Sequence, residues 1–184
     1  MAWEFDVLYW FQGLHNPVLD RIEVCITRFG DKGIFWIIVT LLLLVCVKDK
    51  RIGMTAALAL VTEAILCNLI LKNVVQRSRP CWMDPDVQLL IHSPKDFSFP
   101  SGHSSVSFAV AVSIIQYKKK WGIAAVLLAI LIAVSRLYLF VHFPTDVLTG
   151  ALIGTVMAII SGMIVRKGVE KHPELLEWNR RENR

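Results

Sequence analysis

The sequence predicts an all-α integral membrane bundle of about five transmembrane helices, preceded by amphipathic helices lying in the membrane interface. Three observations carry that expectation. The chain has 184 residues, 55% of them hydrophobic, and a mean hydropathy of +0.54, more apolar than a soluble domain of this size. Several apolar runs approach the roughly 20 residues that cross a bilayer core of about 30 Å. The connecting segments also sort by charge as a fixed orientation in a bilayer requires. Three regions follow: interfacial helices over residues 1–30, a membrane domain over residues 31–168, and a charged cytoplasmic tail over residues 169–184.

Residues 1–30 read as amphipathic rather than spanning. Trp3, Val7, Trp10, Phe11 and Leu14 share one helical face, while Glu4, Asp6 and Gln12 interrupt a bilayer-deep path. Asn16-Pro17 supplies an N-cap and a proline at the first helical position. Val18, Ile22, Cys25, Ile26 and Phe29 then make a second stripe. Two short helices at headgroup level fit this pattern; packing against a partner as soluble-type helices is the alternative. The start lacks the basic residues and apolar core of a cleaved signal.

The five spans fall at residues 34–47 (starting near Asp31), 52–71, 101–117, 121–134 (running on toward 140) and 147–165. The third is more polar, with several serines, but carries no charge. Lys48-Asp49-Lys50-Arg51, Lys118-Lys119-Lys120 and the tail with Arg166, Lys167, Lys171, Arg180, Arg181 and Arg184 then share one side, which the positive-inside rule makes cytoplasmic. The loop 73–100 and the turn near 136–144 face outward. Gly150 and Gly154 form a small-xxx-small pair for close helix packing. Glu63, halfway along the second span, must face the bundle as a hydrogen-bonding residue or line a proton or substrate path. Cys25, Cys46, Cys67 and Cys81 lack metal-ligand spacing. Cys46 and Cys67 read as packing residues, and a Cys25–Cys81 bridge is left open.

Chemistry concentrates in three outward clusters. In Pro100-Ser101-Gly102-His103, Ser101 is a preferred N-cap and the helix start it opens favours an anion; simple capping is the bland account. Lys72 and Arg79 follow the second span, where snorkelling is the bland account. Ser135-Arg136 interrupts an apolar run, so Arg136 needs a partner that an external anion supplies. His142 and Asp146 are four apart, a spacing that lets a carboxylate orient an imidazole; an inert interfacial pair is the alternative. Taken together, Lys72, Arg79, Arg136, Ser101 and Gly102 suit the oxygens of a phosphoryl group. His142 is placed to attack phosphorus and His103 to protonate the leaving oxygen. A metal held by His103, His142 and Asp146 is disfavoured by the three cations beside it, so neither metal nor cofactor is expected.

The three clusters resemble the three-part signature of the type 2 phosphatidic acid phosphatase superfamily, which also contains glucose-6-phosphatases and vanadium haloperoxidases. Lys72, six residues, Arg79-Pro80; Pro100-Ser101-Gly102-His103; and Ser135-Arg136, five residues, His142, three residues, Asp146 all match. The resemblance covers roughly residues 34–165. It implies a metal-independent membrane lipid phosphatase with His142 as nucleophile, Asp146 orienting it, His103 as acid and base, and Lys72, Arg79, Ser101, Gly102 and Arg136 holding phosphate. Six spans are usual in that family; here the first is replaced by the amphipathic N-terminus. The expected partner is a lipid phosphate or diphosphate in the membrane, not nucleic acid, with the site facing outside and the C-terminus cytoplasmic. Polyprenyl (undecaprenyl) diphosphate ranks narrowly ahead of phosphatidylglycerol phosphate and phosphatidic acid. Trp82, Leu89, Leu90, Ile91, Phe97 and Phe99 are candidates to gate lateral access of the lipid. A vanadate-dependent haloperoxidase and a non-enzymatic scaffold or transporter are the competing readings, and nothing in the sequence fixes an oligomeric state.

Overall fold

The computed structural model describes residues 2–173, and those residues form helices and connecting segments without a strand. The helices are α1 (Ala2–Gln12), α2 (Pro17–Arg28), α3 (Ile34–Cys46), α4 (Lys50–Glu63), α5 (Lys72–Val75), α6 (Pro80–Met83), α7 (Gly102–Ile115), α8 (Lys119–Tyr138) and α9 (Pro144–Lys171). Four stretches are long and apolar enough to cross a membrane: Pro17–Cys46, Lys50–Met83, Lys119–Tyr138 and Pro144–Lys171. The remaining expected crossing is the shorter apolar helix α7. The chain is therefore an all-α membrane bundle. Helix α9 runs on through Lys171, past the 168/169 boundary expected for the tail; Arg180, Arg181 and Arg184 lie outside the described residues.

Local chemistry sets the ends of these helices. Asn16 caps α2 by accepting from the Val18 and Leu19 amides, with Pro17 at the first helical position. Lys32 (φ 50°) and Gly33 (φ 68°) are left-handed and divide α2 from α3 at a short 3₁₀ turn. After Glu63 the helix widens into a π-helical segment, Ala64–Leu71, before α5 resumes the ordinary winding. Gln76, also left-handed (φ 48°), ends α5 and turns the chain back over the end of the bundle.

Helix α7 is the centre, packed against α9, α8 and α4. Small residues permit that approach. A Cβ on Gly150 would stand 2.5 Å from the Ser101 carbonyl oxygen, and one on Gly154 would overlap the Ser105 carbonyl. The core on one side of α7 holds Trp36, Leu43, Ile52, Val110, Ile114 and Ile132, and Trp36 Nε1 donates to Ser107 Oγ at 2.8 Å. A second cluster of Leu8, Cys81, Tyr138, Phe140, Val141 and Phe143 lies under α1. The stripe expected on α1 and α2 faces away from the protein: Trp3, Trp10, Val18 and Ile22 are exposed, whereas Glu4 and Leu8 are buried. Glu63 is wholly buried and accepts from Ser105 Oγ on α7. All four cysteines are free thiols, so Cys25 and Cys81 are not bridged, and Cys46 is exposed rather than packed.

Candidate active site

Separate helices and loops converge on one cavity of about 990 Å³. Its polar end is lined by Lys72, Arg79, Asp96, Gly102, His103, Arg136 and His142, and its apolar end by Ile37, Leu41, Leu60 and Val61 on α3 and α4. Lys72 arrives from the end of the π-helical segment, and Arg79 from the turn that Gln76 begins. Arg136 comes from the last turn of α8, while His142 sits in the connection between α8 and α9.

Each polar group has a defined environment. Arg79, 2% exposed, donates through Nε to the Asp96 carbonyl at 2.7 Å, through Nη1 to the Val141 carbonyl at 2.7 Å, and through Nη2 to Asp96 Oδ1 at 2.7 Å. Its Nη1 also lies 3.1 Å from His142 Nε2. The other ring nitrogen of His142, Nδ1, stands 3.7 Å from Asp146 Oδ2 and 3.4 Å from Ser98 Oγ. An arginine donor at Nε2 and a carboxylate beside Nδ1 assign the proton to Nδ1. Burial, followed by the positive charge of Arg79, Arg136, Lys72 and His103, holds His142 well below the usual imidazole range. His142 is therefore a neutral imidazole with its Nε2 lone pair at the cavity wall.

Asp146 is held on both oxygens. Its Oδ2 accepts from the Phe143 amide at 2.8 Å and Ser98 Oγ at 2.5 Å, and its Oδ1 from Arg77 Nη1 at 2.6 Å. His103 opens α7 with Nε2 3.1 Å from Asp31 Oδ1. Arg136 is 3% exposed; its Nη1 donates to Thr27 Oγ1 at 2.5 Å, and its buried Nε has no partner among the described residues. An orphaned, buried guanidinium donor on a cavity wall is a group poised for an anion.

The structure thus brings Lys72, Arg79, Gly102, His103, Arg136 and His142 to one cavity, with Asp146 behind His142. Ser101 is placed differently. It is wholly buried, its Oγ accepts from Ser104 Oγ at 3.1 Å as the cap of α7, and it is not among the residues lining the cavity. Of the residues expected to gate access, Ile91 lines this cavity, and with Leu89 and Leu90 it also lines a neighbouring one. Trp82 instead donates to Ser93 Oγ and the Pro94 carbonyl and packs edge-on to Phe97, and Phe99 sits half-buried beside Pro100.

Four residues were not anticipated as parts of the site. Asp96 binds Lys72 Nζ and Arg79 together. Burial pushes its carboxyl up, but Lys72 and Arg79 outweigh that and hold it at about 2. Arg77 and Ser98 fix Asp146, and Glu4 accepts from Arg77 Nη2 at 2.7 Å. Arg77 stands inside the first motif and Ser98 two residues before the second, so both were open to suspicion. Nothing local marks Asp96 or Glu4, whose contacts lie 17–24 and 73 residues away.

Residues 52–169 match the PAP2 superfamily. The chain is 32% identical over 161 residues to an undecaprenyl-diphosphatase of Sulfolobus acidocaldarius, covering 86% of this chain and 77% of that one. Among solved structures, the crystal structure of Aquifex aeolicus LpxE superposes with a TM-score of 0.76 at 30% identity, covering 85% of this chain and 93% of the other. The structure of a transmembrane PAP2-type phosphatidylglycerolphosphate phosphatase from Bacillus subtilis gives 0.73 at 27% identity, covering 90% and 86%.

Proposed function

The chain belongs to the PAP2 superfamily, and from that premise we propose that it is a membrane lipid phosphatase working through a phosphohistidine at His142, on the outer face of the membrane. One observation carries the reading: His142 presents a neutral Nε2 to a cavity wall shared with Lys72, Arg79 and Arg136, while Asp146 stands behind Nδ1.

The chemistry follows from those placements. A phosphoryl group entering the cradle takes Lys72 and Arg79 from Asp96, and its third oxygen meets the free Nε of Arg136 beside the backbone of Gly102. His142 Nε2 attacks phosphorus in line. The bond from phosphorus to the leaving oxygen breaks, and His103 gives that oxygen its proton. Asp146 stabilises the positive charge that develops on the imidazole. In the second half, His103 takes a proton from water, the resulting hydroxide attacks the phosphorus, and the P–N bond breaks to release phosphate and His142. Every step uses side chains of this chain.

The apolar end of the cavity, between α3 and α4, suits a hydrocarbon chain lying in the bilayer with its phosphate at headgroup level. The basic segments at 48–51 and 118–120 support a cytoplasmic placement for the opposite end of the bundle. An outward site suits recycling of a carrier lipid, so a polyprenyl diphosphate ranks first and phosphatidylglycerol phosphate second; the names of two relatives point to the same two substrates. The test is phosphate release from a panel of lipid mono- and diphosphates by purified protein in detergent, with and without chelator. His142→Ala should abolish both release and trapping of radiolabelled phosphate on the protein. A His142→Ala variant with normal turnover would end this mechanism.

A further inference from the structure

Helix α1 carries an acidic residue where an interfacial helix has no need of one. Glu4 is 4% exposed, although Trp3, Asp6, Tyr9 and Trp10 on the same helix are exposed. Its two oxygens are both committed: Oε2 accepts from Arg77 Nη2 at 2.7 Å and Oε1 from Thr145 Oγ1 at 2.6 Å. Arg77 Nη1 in turn donates to Thr145 Oγ1 at 2.7 Å and to Asp146 Oδ1 at 2.6 Å. The guanidinium lies 4.1 Å from the centre of the Phe143 ring, which fixes its plane. Thr145 and Asp146 are neighbours in the first turn of α9, so Glu4 grips that turn at one residue and, through Arg77, at the next.

The charges give this chain of contacts a function beyond packing. Arg77 alone beside Asp146 would make a neutral ion pair and cancel most of the carboxylate's field at His142. Glu4 restores one negative charge to the group. The sequence Glu4, Arg77, Asp146 therefore presents a net anion to the imidazole at the moment it becomes positive in the attack on phosphorus. It also denies Asp146 the freedom to turn toward the cations on the other face of His142.

We propose that Glu4 and Arg77 are positioning residues for the reaction: an ionic relay, anchored in the N-terminal helix, that sets both the orientation of Asp146 and the net charge behind His142. The inference rests on the reading of His142 as nucleophile. It assigns to α1 a part in catalysis in addition to its seat at the membrane surface.

The test reads kcat, KM and the acid limb of kcat/KM on one lipid phosphate, so that substrate ionisation is common to all variants. The groups facing His142 are Asp146 from α9, Arg136 from α8, His103 from α7, Lys72 from the end of the π-helical segment, and Arg79 and Ser98 from the loops; none is altered. Glu4→Gln removes one negative charge without changing shape. It should lower kcat about tenfold with KM within about twofold, and move the acid limb down by about half a unit to one unit. Arg77→Gln removes a positive charge and should move the acid limb up while also lowering kcat. Glu4→Asp should recover most of the Glu4→Gln loss. Thr145→Val, which deletes the hydroxyl that bonds both Glu4 and Arg77 but leaves their direct ion pair and its charge, should lower kcat by less than Glu4→Gln with no shift of the acid limb, and serves if Glu4→Gln fails to fold. Opposite shifts from the two charge-removing variants support the relay, because a loss of packing has no sign. Unchanged kcat in Glu4→Gln or Thr145→Val, or shifts in the same direction for Glu4→Gln and Arg77→Gln, would overturn it. His142→Ala measured alongside separates the two ideas: if it stays active the nucleophile assignment fails, and if it is dead while the relay variants are normal only the relay fails.

Discussion

Asp96→Asn is the perturbation with the most direct consequence for substrate binding. The Asp96 carboxylate holds Lys72 and Arg79, two of the three cations proposed to bind the phosphoryl group. The side chain is 54% exposed, so it can leave, but while it stays it competes with the ligand. Hydrogen bonds to charged groups contribute about 1.5–3 kcal/mol when sheltered, and exposed ion pairs about 0–1 kcal/mol. For a half-exposed carboxylate with two cationic partners, a net cost of about 1–1.5 kcal/mol to an incoming anion is reasonable. Asparagine keeps the shape and one acceptor but not the charge. Inhibition by vanadate or inorganic phosphate should therefore tighten about 5–10-fold, at about 1.4 kcal/mol per tenfold, and KM for a lipid phosphate should fall in parallel. Because Lys72 and Arg79 hold Asp96 at about 2, the carboxylate is ionised across the working range, and the ratio of variant to wild type should be flat between about pH 5 and 8. The assay is steady-state hydrolysis in detergent with inhibitor titrations at several pH values. Weaker binding in Asp96→Asn would refute the reasoning, since it would mean that Asp96 holds the two cations in place for the ligand instead of competing with it.

Three further outcomes follow from the same geometry. Gly150→Ala places a methyl 2.5 Å from the Ser101 carbonyl, a backbone atom that cannot swing away; it should cost about 1–3 kcal/mol and lower the melting temperature in detergent. Val61→Trp, at a lipid-exposed position that lines the apolar end of the cavity, should raise KM for a long-chain lipid phosphate and leave a short, water-soluble phosphate monoester unaffected. Burial and four neighbouring cationic or titratable groups lower His142, so its attacking base form persists as pH falls below the ordinary imidazole value; wild-type kcat/KM should hold its plateau to below about pH 6.

The membrane class and the gathering of basic residues into one cavity were legible because both are written locally. Apolar run length marks spans, and lysine, arginine and histidine at fixed offsets mark the residues that line the proposed site whatever the details of packing. What was illegible depends on partners far apart in the chain. Ser101 caps α7 as expected, but its amide, expected on the phosphate, donates to the Asp146 carbonyl at 3.0 Å, a partner 45 residues away in the chain. Asp96 sits in a polar loop with no periodicity and gains its meaning only when that loop folds over Lys72 and Arg79. Glu4 reads only as an interruption of a bilayer-deep path because nothing near it in sequence can pair with it; Arg77 comes from beyond the second expected span, 52–71. The lateral route is expected in the apolar residues of the loop 81–99; of these Ile91 lines the cavity, alongside residues of α3 and α4 that look like ordinary span.

The π-helical segment at Ala64–Leu71 controls the phase of the helical turn after it, which carries Lys72 and leads into Arg79. An α-helix advances about 100° per residue and a π-helical turn takes in one extra residue, so rewinding this stretch to ordinary pitch with all of its residues kept would rotate the helical side chains that follow by about that angle. Lys72 and Arg79 would keep their spacing to each other and lose their bearing on His103 and His142. A sequence could thus carry all three motifs unaltered and still have no cradle. In this fold, counting residues within a motif locates the ammonium and guanidinium groups along the chain, but an irregular turn upstream decides the compass direction in which the first of them points.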